Sequence, residues 1–305
     1  MMHWIALAAA VASLAQTAQT AQTAQTAPAM PPAPGDAIAA DWRAIPDDQL
    51  LVIDLAGGRR VVIRLAPDHA PVHVDNIRKL ARARWWDGTS VYRVQDNYVA
   101  QWGDATEQKP LPADVVANPP AEYEFAARPL AARLSLPDPY ALRAGMTADG
   151  WPQLTGPYRP DQATDRAWLP HCYAMVGVAR DLAPSTGSGA ELYTVIGHAP
   201  RHLDRNIALV GRVIQGIEHL STLPRGTGNL GFYEKPAQRV AIETVRLASD
   251  IPAAERPGFQ YRATDNARFA AYVRARENRE PPFFTVPAGG ADICNVPVPV
   301  RPTPR

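Results

Sequence analysis

A mainly β fold is predicted by three observations. Proline accounts for 31 of 305 residues, roughly twice the usual share, which opposes long helices and suits a loop-rich β protein. Two β-branched apolar runs, Leu50 to Leu55 and Val61 to Leu65, flank Ala56-Gly57-Gly58, a hairpin signal. Two more short runs follow, Val91 to Val94 and Tyr98 to Trp102, the second closed by Gly103-Asp104. With 46% hydrophobic and 20% charged residues the chain is globular rather than fibrous or disordered. A net charge of +1 supplies no global basic field, so nucleic acid and anionic membranes are not expected partners.

In chain order, Met1-Met2-His3 precede the apolar stretch Trp4 to Ala12 and then Ser13-Leu14-Ala15. That length suits a signal peptide over residues 1–15, cleaved before Gln16, and is too short for a membrane span. A buried N-terminal helix is the competing reading. Four Ala-Gln-Thr copies run from Ala15 to Thr26, and residues 27–35 are rich in Ala and Pro. Lacking an apolar period, residues 16–46 read as a flexible leader. The protein is expected to be exported, periplasmic or secreted, with no membrane insertion after cleavage, since no later stretch could form a transmembrane helix. The organised domain spans 47–251. After the first hairpin, Pro71 opens a helix with Val74, Ile77, Leu80 and Ala81 at helical spacing, ending near Arg84 before Trp85-Trp86-Asp87-Gly88. Cys172 and Cys294 are the two cysteines. In an exported protein such a pair is more often bridged than free, and a bond would pin the tail onto a central loop; two separate buried thiols remain the alternative.

This order of two strands, an Ala-Pro helix, a glycine turn and Val91-Tyr92-Arg93-Val94-Gln95-Asp96-Asn97-Tyr98-Val99-Ala100-Gln101-Trp102-Gly103-Asp104 resembles the cyclophilin family of peptidyl-prolyl isomerases. The family pattern is Phe-His-Arg-Val and then Phe-Met-x-Gln-Gly-Gly-Asp. Further blocks agree in order: Met175 to Arg180, Ala190 to Gly197, Leu203-Asp204, Leu209 to Val213, and Gly216 to Leu220 as a short second helix. The resemblance covers roughly residues 48–125 and 172–249. It implies a closed eight-stranded β-barrel capped by two helices.

The activity it implies is rotation about X-Pro bonds, opposed by amide resonance with a barrier of ~18–20 kcal/mol. A catalyst need only bind the twisted amide better than either planar isomer. A fixed guanidinium can donate to the prolyl nitrogen or the carbonyl, and Arg93 matches the family's catalytic arginine. The apolar slot for the proline ring carries over as Tyr98, Val99, Tyr193 and Leu203. Gln101 matches the glutamine that holds substrate backbone, Ala179 the backbone contact beside it, and Arg180 replaces an asparagine of many members. Glu191 stands where the family has its second glutamine, His202 where many members have an aromatic residue, and Ile207 where the pocket histidine falls. These departures imply weaker activity or an altered choice of residue before proline, and weak binding of cyclosporin-type ligands.

Other motifs carry less. Gly226-Thr227-Gly228-Asn229-Leu230-Gly231 has a dinucleotide-loop form but follows a helix and Pro224 rather than a strand. His69/His73 and His198/His202 are interrupted by Pro71 and Pro200, so no metal site is expected. Ser185 and Ser188 lack the nucleophile-elbow pattern. No cofactor is implied. The segment 126–171, rich in Pro, Trp and Tyr, is expected to be a long loop insertion near the mouth of the site. Residues 252–305 form a C-terminal extension, with a helix over Asn266 to Arg279 presenting Phe269, Tyr272 and Val273 on one face. The expected protein is an exported, monomeric prolyl isomerase acting on proline-containing polypeptides. The alternative is a catalytically weak binding module or chaperone of the same fold.

Overall fold

The computed structural model describes residues 37–156 and 166–304; the expected signal peptide, 1–15, and residues 16–36 of the expected leader lie outside them. In chain order the first elements are β1 (Trp42–Ala44), β2 (Leu50–Leu55), β3 (Arg59–Leu65), α1 (Pro71–Arg82), β4 (Ser90–Val94) and β5 (Val99–Gly103). Next come β6 (Phe125–Ala126), β7 (Leu130–Arg133), β8 (Arg143–Thr147), β9 (Pro152–Thr155) and β10 (Arg166–Trp168). The chain continues through β11 (Met175–Val178), β12 (Leu192–Val195), β13 (Leu209–Gln215), α2 (Glu218–Ser221), β14 (Val240–Leu247), β15 (Phe259–Arg262), α3 (Ala267–Glu277) and β16 (Val300–Pro302).

Eight strands close into an antiparallel barrel in the order β11-β12-β5-β4-β14-β2-β3-β13. Strand alternation sorts their side chains. Leu51, Ile63, Val91, Trp102, Val176, Leu192, Val210 and Val245, one from each strand, meet inside the barrel with Val74, Ile77 and Leu80 of α1. Pro71 opens α1, and the Glu122 carboxylate accepts the N–H groups of Val72 and His73 at 2.9 and 3.0 Å, satisfying donors that a helix start leaves unpaired.

The outer face is apolar as well. Leu50, Val52 and Val62 point away from the barrel interior and are still buried, in a second core with Met146, Leu154, Trp168, Tyr261 and Phe269. The segment 126–171 is therefore not the expected loop arm. Its described residues supply most of a five-stranded sheet, β6-β10-β9-β8-β7, whose apolar residues cover the barrel's outer side. The leader also ends earlier than residue 46. Trp42–Ala44 pairs with β15 in a third sheet, β1-β15-β16, and buried Asp41 accepts from Arg268 at 2.5 Å. The pairing gives one edge of β15 a partner, and the Asp41–Arg268 contact ties this segment to α3. The predicted tail helix is present as Ala267–Glu277, with Asn266 as N-cap accepting from Phe269 N–H at 2.9 Å and with Phe269, Tyr272 and Val273 buried. Cys172 and Cys294 are paired as a disulfide with Cα atoms 5.1 Å apart. Among the described residues no helix is long and apolar enough to cross a membrane.

Candidate active site

The site is built on the outer face of β4, β5 and β12. In β5, Ala100 and Trp102 point into the barrel, so Val99 and Gln101 point outward. On β4, Val91 pairs with Trp102 and Val94 with Ala100, both inward, although they are three residues apart. The register shifts between Val91 and Arg93, so this strand holds one residue more than its partner. Such a bulge re-aims the chain. Without it, strict alternation would turn Arg93 into the apolar interior; with it, Arg93 stands opposite Gln101 on the outer face.

Three acceptors hold the guanidinium. Nη1–H donates to Gln101 Oε1 at 2.9 Å, Nη2–H to Gln95 Oε1 at 2.5 Å, and Nε–H to the carbonyl of Leu230 at 2.8 Å. Arginine has five N–H donors, so one N–H on each terminal nitrogen is left for a substrate. The group also lies 5.3 Å from the Phe232 ring centre and 6.0 Å from that of Tyr98. Burial lowers its pKa from the ordinary arginine value, which for so basic a group leaves the charge in place. A charge held rigidly in partly dry surroundings acts more strongly on a developing lone pair than one in water.

Beside it, Val99 and Tyr193 are buried and Tyr98, Ala179, Leu203 and Ile207 are partly buried against the same cluster. The structure thus brings the predicted slot residues together. Tyr98 stacks on exposed His202, ring centres 5.7 Å apart, with its hydroxyl 3.2 Å from Nε2. His202 Nδ1 lies 2.7 Å from the Ala199 carbonyl; that oxygen can only accept, so Nδ1 carries the proton and Nε2 accepts from Tyr98. The hydroxyl of Tyr193 lies 2.9 Å from His171 Nε2, and His171 Nδ1 lies 2.9 Å from Asp204 Oδ1. Burial raises the Tyr193 pKa well above the ordinary tyrosine value. Arg201 bridges Asp204 (3.1 Å) and Asp138 (2.6 Å), both buried, so the added segment braces the slot from beneath.

Two predicted contacts take other positions. The Arg180 guanidinium is committed to the carbonyls of Asn206 and Asp181. The Glu191 carboxylate accepts from Tyr92 O–H at 2.6 Å and Asp104 N–H at 2.7 Å, so it braces Gln101 through Tyr92. Ala179 N–H is bonded to the Glu191 carbonyl at 2.9 Å.

The sequence reading missed Tyr92, Gln95, His171, Leu230 and Phe232. The 226–231 glycine motif is the strap that carries the Leu230 carbonyl to Arg93. Gly231 has φ +80°, and a β-carbon there would lie 2.7 Å from Gln95 Cα, so the close approach requires glycine. The three-residue spacing of Val91 and Val94 was the available trace of the bulge. Among the described residues no group of three His, Cys, Asp or Glu could hold a metal.

The family model for cyclophilin type peptidyl-prolyl cis-trans isomerase/CLD matches residues 51–247. The crystal structure of cyclophilin AquaCyp293 from Hirschia baltica is similar at TM-score 0.66 and 25% identity, covering 86% of this chain and 93% of that one. Curated relatives named probable peptidyl-prolyl cis-trans isomerase, from Brucella suis biovar 1 (strain 1330) and Brucella melitensis biotype 1, are 22% identical over 184 residues, 60% of this chain and 76% of theirs. With the match running from β2 to the end of β14, and a closed eight-stranded barrel bearing the site, the chain belongs to the cyclophilin-type peptidyl-prolyl cis-trans isomerases.

Proposed function

We propose that the protein is an exported prolyl isomerase that accelerates X-Pro rotation during folding of other exported proteins. The observation that carries the reading is Arg93, turned outward by the bulge and held by three acceptors beside the apolar slot. The proline ring enters between Tyr98, Val99, Tyr193, Leu203 and Ile207. Gln101 and the Ala179 main chain hold the peptide backbone, and the spare N–H groups of Arg93 reach the twisting amide. As the amide leaves planarity its nitrogen regains a lone pair, and a donor placed there stabilises the twisted form more than either planar isomer. No covalent bond forms. Export is supported by the signal-like residues 1–15 and by the Cys172–Cys294 pair, a linkage that persists in oxidising compartments.

The test is a titration with an Ala-Pro peptide followed by NMR, together with a rate measurement. Shifts at Tyr98, Gln101, Tyr193 and His202 with catalysed exchange support the reading. Binding without any rate above background supports the second one, a peptide-binding module, which the Val99, His202 and Ile207 departures favour. Fractionation of expressing cells and sequencing of the mature N-terminus test export; a cytoplasmic protein retaining Met1 contradicts it.

A further inference from the structure

The arginine and glutamine of the cleft continue into a row of hydrogen bonds that ends on a half-buried carboxylate. Arg93 Nη1–H donates to Gln101 Oε1 at 2.9 Å, and Gln101 Nε2–H donates to Tyr92 Oη at 2.6 Å. Tyr92 O–H donates to Glu191 Oε2 at 2.6 Å, and Asp104 N–H caps Oε1 at 2.7 Å. Its two ends fix every direction. A guanidinium can only donate, and an ionised carboxylate can only accept. The single Tyr92 proton therefore points at Glu191, its oxygen receives the Gln101 amide N–H, and the Gln101 carbonyl is left facing Arg93. A proton on Glu191 removes one of those constraints. The carboxyl can then donate to Tyr92, Tyr92 can turn its own proton to Gln101, and the amide can flip to set N–H against N–H at Arg93.

We propose that Glu191, acting through Tyr92, is a positioning residue whose ionised form locks Gln101 in the orientation that holds Arg93. The proposal rests on the assignment of Arg93 and Gln101 to the isomerase site. The backbone is shaped for it. Gly103, at the end of β5, has φ +149°, and a β-carbon there would lie 2.1 Å from Glu191 Oε2. The carboxylate thus fills space that any other residue at position 103 would need. The groups facing it are Tyr92 from β4 and the Asp104 amide, Asp104 carboxylate and Glu107 carboxylate from the segment after β5. Burial raises the Glu191 pKa to about 7, aided by the two carboxylates and opposed by the two hydrogen bonds. The change of state therefore falls at neutral pH.

The test follows the side-chain amide of Gln101 by ¹⁵N NMR, and kcat/KM by peptide exchange, from acid to alkaline pH. Both are measured in the wild type, Tyr92→Phe and Glu191→Gln. In the wild type the Gln101 amide signals should titrate with a midpoint near 7, and kcat/KM should rise about tenfold across the same window, the scale of one charge-assisted hydrogen bond. Both midpoints should vanish in each variant. An unchanged Gln101 amide in the wild type overturns the proposal. A midpoint that survives in both variants belongs to another group and overturns it too. Should the wild type lack isomerase activity, the functional reading fails, while the Gln101 titration still decides the relay.

Discussion

Glu191 makes opposite demands on function and on folding, and the second can be measured without any substrate. The unfolded chain releases this proton near the ordinary glutamate value of 4.5, whereas the folded chain holds it to about 7. Between those values the folded state binds more protons than the unfolded one. The group's contribution to stability is therefore full below pH 4.5, falls as pH rises to 7, and is flat above. A displacement of that size corresponds to roughly 3 kcal/mol. Solvent reaches part of the carboxylate, which brings the expected effect to about 1–3 kcal/mol. Urea unfolding of the wild type and of Glu191→Gln, near pH 4.5 and again near pH 8, reads it directly. Glutamine cannot ionise, so any fixed cost at the Asp104 amide cancels in the comparison between the two pH values. The variant should gain about 1–3 kcal/mol relative to wild type on going to the higher pH. A difference between the two proteins that is the same at both pH values would refute the buried-carboxylate argument.

Two further expectations concern the added elements. Arg201→Met leaves Asp138 and Asp204 buried without their cation. It should cost about 3–5 kcal/mol in denaturant unfolding and raise KM, because Arg201 sits in the short turn that carries His202 and Leu203; an unchanged midpoint would mean that the buried bridge carries no net stability. The Cys172–Cys294 pair spans 122 residues, and in the chain-entropy account a loop of that length is worth about 4–5 kcal/mol. Cys294→Ser should melt well below the oxidised wild type and match the reduced one, and coincident melts of all three forms would remove the pair from the stability account.

The barrel was legible because its strands carry strong local signals. The β-branched runs around Ala56-Gly57-Gly58, the Pro71 helix start and the Arg93 to Gln101 spacing all survive in the structure. The five-stranded cover was not legible as strands. Its segments are short, interrupted by proline and arginine, and several of their buried residues are polar, such as Gln153 and Thr155. A trace of it was nonetheless present on the barrel side. Leu50 to Ile53 are apolar at every position, whereas a strand with one face in water alternates. Counting along the resemblance named residues that pack in one cluster, Tyr98, Val99, Tyr193, Leu203 and Ile207, but it placed Glu191 as a contact. Only the bulge at Tyr92 reveals that this carboxylate reaches Gln101 through a hydroxyl. His171 was equally invisible, since it reaches Tyr193 from the far end of the added segment.

The account turns on Arg93. Magnetisation-transfer NMR on an Ala-Pro peptide, with wild type and Arg93→Ala compared at equal concentration, measures its contribution without coupling to a second enzyme. The account predicts exchange above the uncatalysed rate for the wild type. It predicts a loss of about 10²–10³-fold in Arg93→Ala, with the peptide still bound through the slot of Tyr98, Val99 and Tyr193. Equal exchange in the two folded proteins, or none in the wild type, would contradict it.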